Sequence, residues 1–330
     1  MNQQPGSASA NPGKGSASAA VVVLGPTASG KSEVGCALAR RFGGWILSVD
    51  SMAVYRGLDI GTSKPSAAQR FEIPHRGLDL TDPDRDFSLG DYLRAAERAL
   101  EEMRAAGALP ILVGGTGLYL RGLLKGVADF PPRDVELRRR LRERERREGP
   151  LALHRLLSEA DPSAAERISP MDRQRLVRAL ELAEKGLVDR VGRVGPEWAG
   201  PDRFPTVKIG VTRDRRELAD RITRRVDGFL SAGLVAETRR LLERVPPGAN
   251  AFSALGYREV AAHLGGECDL ETARGRIIRN TLAYAKRQMT WFRKEAHVRW
   301  FELKGPAETA VAAIGDHVAE SLSRLAEGSA

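Results

Sequence analysis

AAVVVLGPTASGKS, residues 19–32, decides how the rest of the chain is read. Its first half is an unbroken, valine-rich apolar run closed by glycine, the pattern of a strand buried on both faces. Its second half fits G-x-x-x-x-G-K-[ST], and the helical pattern of residues 32–42 follows at once. Strand, glycine loop and helix in that order make a phosphate cradle. Glycines let backbone N–H groups curl around an anion, and the helix N-terminus adds its dipole. Lys31 is expected to reach the outer phosphate and Ser32 to help hold magnesium (Mg2+). Gly25, Pro26, Thr27, Ala28, Ser29 and Gly30 complete the P-loop. The motif specifies a phosphate-bearing ligand without saying which one.

Outward from the loop, WILSV (45–49) and PILVGG (110–115) read as further buried strands. A helix is expected over 88–106, where Leu89, Leu93, Ala96, Leu100 and Met103 recur at helical spacing behind a Ser88/Asp91 cap. TVKIGVT (206–212) reads as one more strand after a long excursion. Strands alternating with helices predict an α/β fold, a three-layer P-loop core with a parallel sheet. The excursion, 131–200, is charged and helical, ends in a Gly/Pro/Arg-rich stretch, and is predicted to be a helical insertion domain. The core is then 19–130 together with 201–330, helical from 213 nearly to its end. Residues 1–18, almost all Gly, Ser, Ala, Pro and Asn, are expected to be a disordered tail.

The chain has 330 residues, 42% of them hydrophobic, enough for one substantial core and a satellite. No run approaches the roughly 20 apolar residues that span a bilayer, and no membrane partner is expected. Cys36 and Cys268 stand far apart, giving neither a disulfide framework nor a zinc cluster, so a reducing, cytoplasmic setting is the expectation. The net charge of +9 implies affinity for polyanions. No acidic residue follows PILVGG, where a nucleoside triphosphatase would place a metal-holding Asp; Gly-Gly-Thr-Gly stands there instead. WILSV does run into Asp50, at the mouth where parallel sheets bind ligands. By position Asp50 is open to four readings: metal ligand, kinase base, base for other chemistry, or helix cap.

GPTASGKS, DSMAVYRGLDIGTSKP (50–65), LVGGTGLYLRGLL (112–124), DRQRLVRALEL (172–182), ADRITRRVDGFL (219–230), ALGYRE (254–259) and YAKRQMTWFR (284–293) together resemble the tRNA dimethylallyltransferase (IPP transferase) family. The blocks occur in the family's order across about residues 20–302. The resemblance implies that the P-loop holds the diphosphate of dimethylallyl diphosphate, with Mg2+, rather than a nucleotide. It implies transfer of the prenyl group to N6 of the adenosine immediately 3′ of the anticodon, in tRNAs reading codons that begin with U. Asp50 matches the family's base, Thr27 hydrogen-bonds nearby, and Arg221, with Arg225 one turn on, serves the leaving diphosphate. Ser51, Met52, Ala53 and Thr116, with Gln174, Arg175, Leu176, Val177 and Arg178, match blocks that meet the tRNA anticodon stem-loop. So do Gly256, Tyr257 and Arg258.

Residues 274–300 hold eight Arg or Lys residues and one acid, Glu295, with Tyr284, Trp291 and Phe292 among them. Lys286 and Arg287 are expected to meet RNA phosphates; the aromatics at helical spacing are read first as core. The run 133–147 mixes charge signs at i, i+4 and reads as a solvated face. Three departures from the family pattern bear on RNA contacts: Ala53 in place of Gln, Leu282 in place of Arg, and PHRGLDL around His75. A small-molecule kinase, a non-catalytic RNA binder and a prenyltransferase of free nucleotides are the alternative readings. The chain is expected to act as a monomer.

Overall fold

The computed structural model describes residues 19–126, 133–187, 198 and 200–327, so the segment read as a tail lies outside the described residues. Six strands form one parallel sheet: β1 (Ala20–Leu24), β2 (Gly44–Val49), β3 (His75–Arg76), β4 (Leu109–Gly114), β5 (Thr206–Thr212) and β6 (Val298–Glu302). Their order is β3-β2-β4-β1-β5-β6, which puts the P-loop strand among the inner strands, between β4 and β5. Helices α1 (Lys31–Phe42), α2 (Ala67–Glu72), α3 (Leu89–Ala105) and α4 (Gly117–Lys125) fall in the first half of the chain. Four more follow: α5 (Val135–Glu148), α6 (Ala152–Ala160), α7 (Pro162–Arg167) and α8 (Arg173–Glu184). The last third carries α9 (Arg215–Ser231), α10 (Leu234–Leu242), α11 (Tyr257–Leu264), α12 (Leu270–Phe292) and α13 (Glu308–Glu327).

The period-2 geometry of β1 explains why its valine run is unbroken. Ala20, Val22 and Leu24 join a cluster with Tyr92, Leu123, Val226 and Phe292 on one face of the sheet. Val21 and Val23 join Val34, Leu38, Ile314 and Val318 on the other. Both faces are covered, so polar alternation has no place. Each fully buried Val or Leu contributes roughly 1.5–3 kcal/mol. Helix α3 begins as its sequence predicts. The Ser88 hydroxyl accepts the Asp91 N–H at 3.1 Å, and Asp91 accepts the Ser88 N–H at 2.9 Å.

Two strands escape the sequence reading. β6 lies inside the stretch expected to be helical; it pairs with β5 from Lys208↔Val298 to Thr212↔Glu302. Its residues are only partly buried, as befits an edge strand, and its five-residue pattern is too short to outweigh the helical sequence before it. His297, at φ 59°, breaks the chain between α12 and the strand. β3 is a two-residue edge strand on β2.

The loop after β2 is tied down from the last third of the chain. Glu237 on α10 accepts the N–H groups of Asp59 (3.2 Å) and Ile60 (3.1 Å). The Tyr257 hydroxyl donates to Glu237 and accepts the Gly61 N–H at 3.0 Å. Lys64 has 1% of its side chain exposed and ties the loop back on itself through the Tyr55 carbonyl (2.6 Å), Asp59 (2.9 Å) and Asp79 (2.5 Å).

A second compact unit comprises Lys125–Arg203; the first takes Met1–Leu124 with Phe204–Ala330. Within the second, Lys125 pairs with Asp202 at 2.8 Å and with the Gly200 carbonyl at 2.5 Å, drawing both ends of the unit together. Helices α5 to α8 pack Leu137, Leu141, Leu153, Leu157, Leu176 and Leu180 into its own core. Most charges of α5 are solvated, as in the Glu136–Arg139 pair at 2.5 Å. Arg138 is different: it reaches the buried Glu181, which also takes Arg178.

Candidate active site

The P-loop runs from the end of β1 into the first turn of α1. Gly25 has φ 146°, and a Cβ there would sit 2.1 Å from the Val211 carbonyl oxygen, so only glycine fits. Gly25, Pro26 and Ser29 are buried and shape the loop. Thr27, Ala28, Gly30, Lys31 and Ser32 line a cavity of about 590 Å3. Three side chains from the far end of the chain hold the loop from outside. Arg213 donates to the Ser29 carbonyl at 2.9 Å, and Arg221 donates to the Ala28 carbonyl at 2.9 Å. Gln288 accepts the Thr27 N–H at 2.7 Å.

The wall of this cavity is cationic. Lys31, Arg221, Arg224 and Arg225 all line it. The Lys31 ammonium donates to the Pro26 carbonyl at 2.6 Å. Burial first, then the Arg225 charge, lower its pKa to about 7, against Asp50 and Glu33. Arg225 packs over the Phe229 ring at 5.2 Å and donates no hydrogen bond among the described residues. Burial pulls its pKa down as well, against Asp50 and Glu33. Such crowded cations are costly without an anion and are what a diphosphate would relieve. The exposed Ser32 hydroxyl, in the first turn of α1, also has no partner among the described residues. Magnesium binds few protein oxygens and keeps waters or takes phosphate oxygens. One hydroxyl beside a cationic wall that would take phosphate oxygens therefore fits it.

Opposite the P-loop stands Asp50, one residue past β2. Its Oδ1 accepts the N–H groups of Met52 (2.8 Å) and Ala53 (3.2 Å). Oδ2 makes no hydrogen bond among the described residues, and the side chain lines the cavity. The cap and base readings are therefore compatible: one oxygen holds the turn and the other is available to a ligand. Thr116, from the loop after β4, accepts the Ser51 N–H at 3.0 Å. Tyr284 also lines the cavity; burial first, then Asp50, raise its hydroxyl to about 12, against hydrogen bonding with Thr116 and Gln288. Of the three aromatics on α12, Phe292 is fully buried, Trp291 packs on the core beneath Arg121, and Tyr284 belongs to the cavity. His75 reaches the cavity from β3, with a pKa lowered by burial.

The residues matched to RNA-contacting blocks divide. Lys286 and Arg287 are exposed on α12, as is Leu282. Met52 and Ser51 are half-buried beside the cavity. Gln174 and Arg175 are exposed on α8 of the second unit, and Arg178 is occupied by Glu181. Leu176 and Val177 are a correction: their side chains are buried in the core of that unit, packed with apolar residues of its other helices. Tyr257 is a second correction, since its ring is fully buried and its hydroxyl is spent on Glu237 and Gly61. Arg258 beside it is exposed, and Gly256 opens α11 at φ 95°. Ala53 is buried, so its methyl closes the turn against the cavity floor instead of facing solvent.

Sequence reading missed Gln288 and Arg213. Gln288 could have been found: it follows Tyr284 by four residues, on the same helical face, inside a block already singled out. Arg213 gave no signal, being one of several charges after β5.

A family model described as IPP transferase matches residues 53–295. The chain is 44% identical to a tRNA dimethylallyltransferase of Geobacter sulfurreducens over 294 residues, covering 87% of this chain and 93% of that protein. It is 45% identical to the tRNA dimethylallyltransferase of Thermomicrobium roseum over 292 residues, covering 87% of each. Among solved structures, the full-length tRNA isopentenylpyrophosphate transferase of Bacillus halodurans superposes with a TM-score of 0.70 at 36% identity, covering 93% of this chain and 97% of that one.

Proposed function

The chain belongs to the IPP transferase family, and from that premise we propose that it transfers the dimethylallyl group of dimethylallyl diphosphate to N6 of the adenosine immediately 3′ of the anticodon, in tRNAs reading codons that begin with U. The observation that carries this reading is the meeting, in one cavity, of a cationic P-loop wall with an aspartate that has one oxygen uncommitted.

The allylic C–O bond breaks as the C–N bond forms, so positive character grows on carbon and negative charge on the diphosphate. Lys31, Arg221, Arg225 and the loop amides stabilise the second charge more in the transition state than in the ground state. Magnesium bound through Ser32 and the phosphate oxygens would offset the same charge. N6 must shed a proton as it becomes bonded to carbon, and Asp50 Oδ2 accepts it. Thr27 helps orient the acceptor, while Thr116 holds the Asp50 turn through Ser51. The acceptor is a polymer because the α12 surface beside the cavity carries Lys286 and Arg287, with Arg258 exposed on α11. Gln174 and Arg175 extend the proposed tRNA contacts to the helical unit. On this reading the enzyme acts as a monomer in the cytoplasm, where its tRNA is.

The test is transfer of label from dimethylallyl diphosphate to an unmodified anticodon stem-loop with adenosines 3′ of the anticodon, in Mg2+. Asp50→Asn should slow transfer about 10²–10⁴-fold with RNA affinity retained. No label in the RNA, with ATP turnover instead, would overturn the reading in favour of a kinase.

A further inference from the structure

Gln288 sits on the face of α12 away from Lys286 and Arg287, with 5% of its surface exposed. Both ends of its amide are used. Oε1 accepts the Thr27 N–H at 2.7 Å, and Nε2 donates to the Gly115 carbonyl at 2.9 Å. The space is closed to anything larger: a Cβ at Gly115 would lie 2.1 Å from Gln288 Nε2. Gly115 leads into Thr116, whose hydroxyl takes the Ser51 N–H beside Asp50. Tyr284, one turn earlier, interacts with both Thr116 and Gln288. A continuous line of contacts thus joins the P-loop, the loop after β4 and the Asp50 turn, and one buried amide bridges the first two.

We propose that Gln288 is a positioning residue for the transfer reaction: by bridging the Thr27 amide and the Gly115 carbonyl it sets the distance between the donor's P-loop and the Asp50 base. The inference rests on the proposed transfer reaction. Its chemistry demands both a donor and an acceptor at this position. An amide, or a protonated carboxyl, supplies the pair in one plane from adjacent atoms of one side-chain group. The part-buried Thr27 N–H and the buried Gly115 carbonyl otherwise lose these partners, and the two loops relax independently. A misplacement of the order of an ångström is enough to cost ~10²-fold in rate.

The experiment compares the wild-type enzyme with Gln288→Glu and Gln288→Met, measuring kcat, KM for each substrate, and thermal unfolding between pH 5.5 and 8.5. For Gln288→Met, kcat falls ~30-fold or more with KM for tRNA unchanged, since the exposed RNA-binding face of α12 is untouched. Gln288→Glu is as slow at high pH, where the ionised carboxylate opposes the Gly115 carbonyl. Its rate recovers toward wild type as pH falls and the carboxyl becomes a donor again. The wild-type kcat shows no such recovery in that direction. Wild-type kcat in both variants would overturn the proposal. So would a loss in Gln288→Glu that is independent of pH and tracks unfolding, which marks a merely structural role. If Gln288→Met does not fold, Gly115→Ala supplies the second probe, with the same fall in kcat expected and an unchanged kcat refuting it. Absence of transfer by the wild-type enzyme would fall on the reaction itself, not on Gln288.

Discussion

Dimethylallyl diphosphate should draw a proton into the enzyme as it binds, and Lys31 is the reason. In the ligand-free protein its pKa is about 7, because burial and Arg225 outweigh Asp50 and Glu33. A diphosphate against the ammonium favours the charged form and returns it toward ordinary lysine, near 10.4. The sign follows: the protonated fraction, and the affinity that depends on it, is full below pH 7 and is lost as pH rises through 7. For a free pKa of about 7, binding takes up about 0.1 proton at pH 6, about 0.5 at pH 7 and about 0.9 at pH 8. The Lys31 contribution to the dissociation constant then rises about tenfold from pH 6 to pH 8. Calorimetry with an unreactive thiolodiphosphate analogue, in buffers of different ionisation enthalpy, measures the uptake directly. The ligand's own protons cancel when Lys31→Gln is titrated alongside. Equal uptake by both proteins at pH 8 would refute the argument and place Lys31 outside the cradle.

Three further outcomes are expected. Arg225→Met removes a crowded cation with no hydrogen bond and should raise Tm by roughly 2–4 °C, while weakening donor binding about 10–100-fold; calorimetry and donor KM read the two effects, and a lower Tm would show that the charge is compensated. Tyr257→Phe strips Gly61 and Glu237 of a shared hydroxyl and should cost about 1–3 kcal/mol in urea unfolding; a negligible change would mean the loop after β2 does not depend on that tie. Reversing Lys286 and Arg287 to Glu should raise KM for tRNA and lower the log–log salt slope by roughly two. Donor KM should stay put, and an unchanged salt slope would remove α12 from the RNA interface.

The parts of this molecule legible in its sequence are those governed by local chemistry. An unbroken Val run between two buried faces, a glycine loop before a helix, and a Ser88/Asp91 cap each carry their own explanation within a few residues. β6 does not: Val298–Glu302 is an edge strand whose pairing partner lies far back at β5, and neighbouring helical sequence overwhelms so short a signal. The site divides along the same line. Lys31 and Asp50 announce themselves by following strands. Arg213 and Gln288 act on the P-loop from 184 and 261 residues away, a relation that no local pattern encodes. Family blocks pointed to the Tyr257 turn and to α8, but a block says only that a segment matters. Whether its side chains face solvent or core is a question of packing, and Leu176, Val177 and Tyr257 face the core.

The span between Thr27 and Gln288 also has a consequence for biosynthesis. The two are 261 residues apart, so at about 5–20 residues per second a ribosome adds the brace roughly 15–50 s after the loop it steadies. The ties from Tyr257 and Glu237 to the loop after β2 arrive late for the same reason. Contacts so distant close only when nearly the whole chain is present. An N-terminal fragment left by interrupted translation therefore holds a phosphate loop without Arg213, Arg221 or Gln288 behind it, and lacks the helix proposed to meet RNA. The side chains that meet the phosphate loop from α9 and α12 are thus the later-made part of the site.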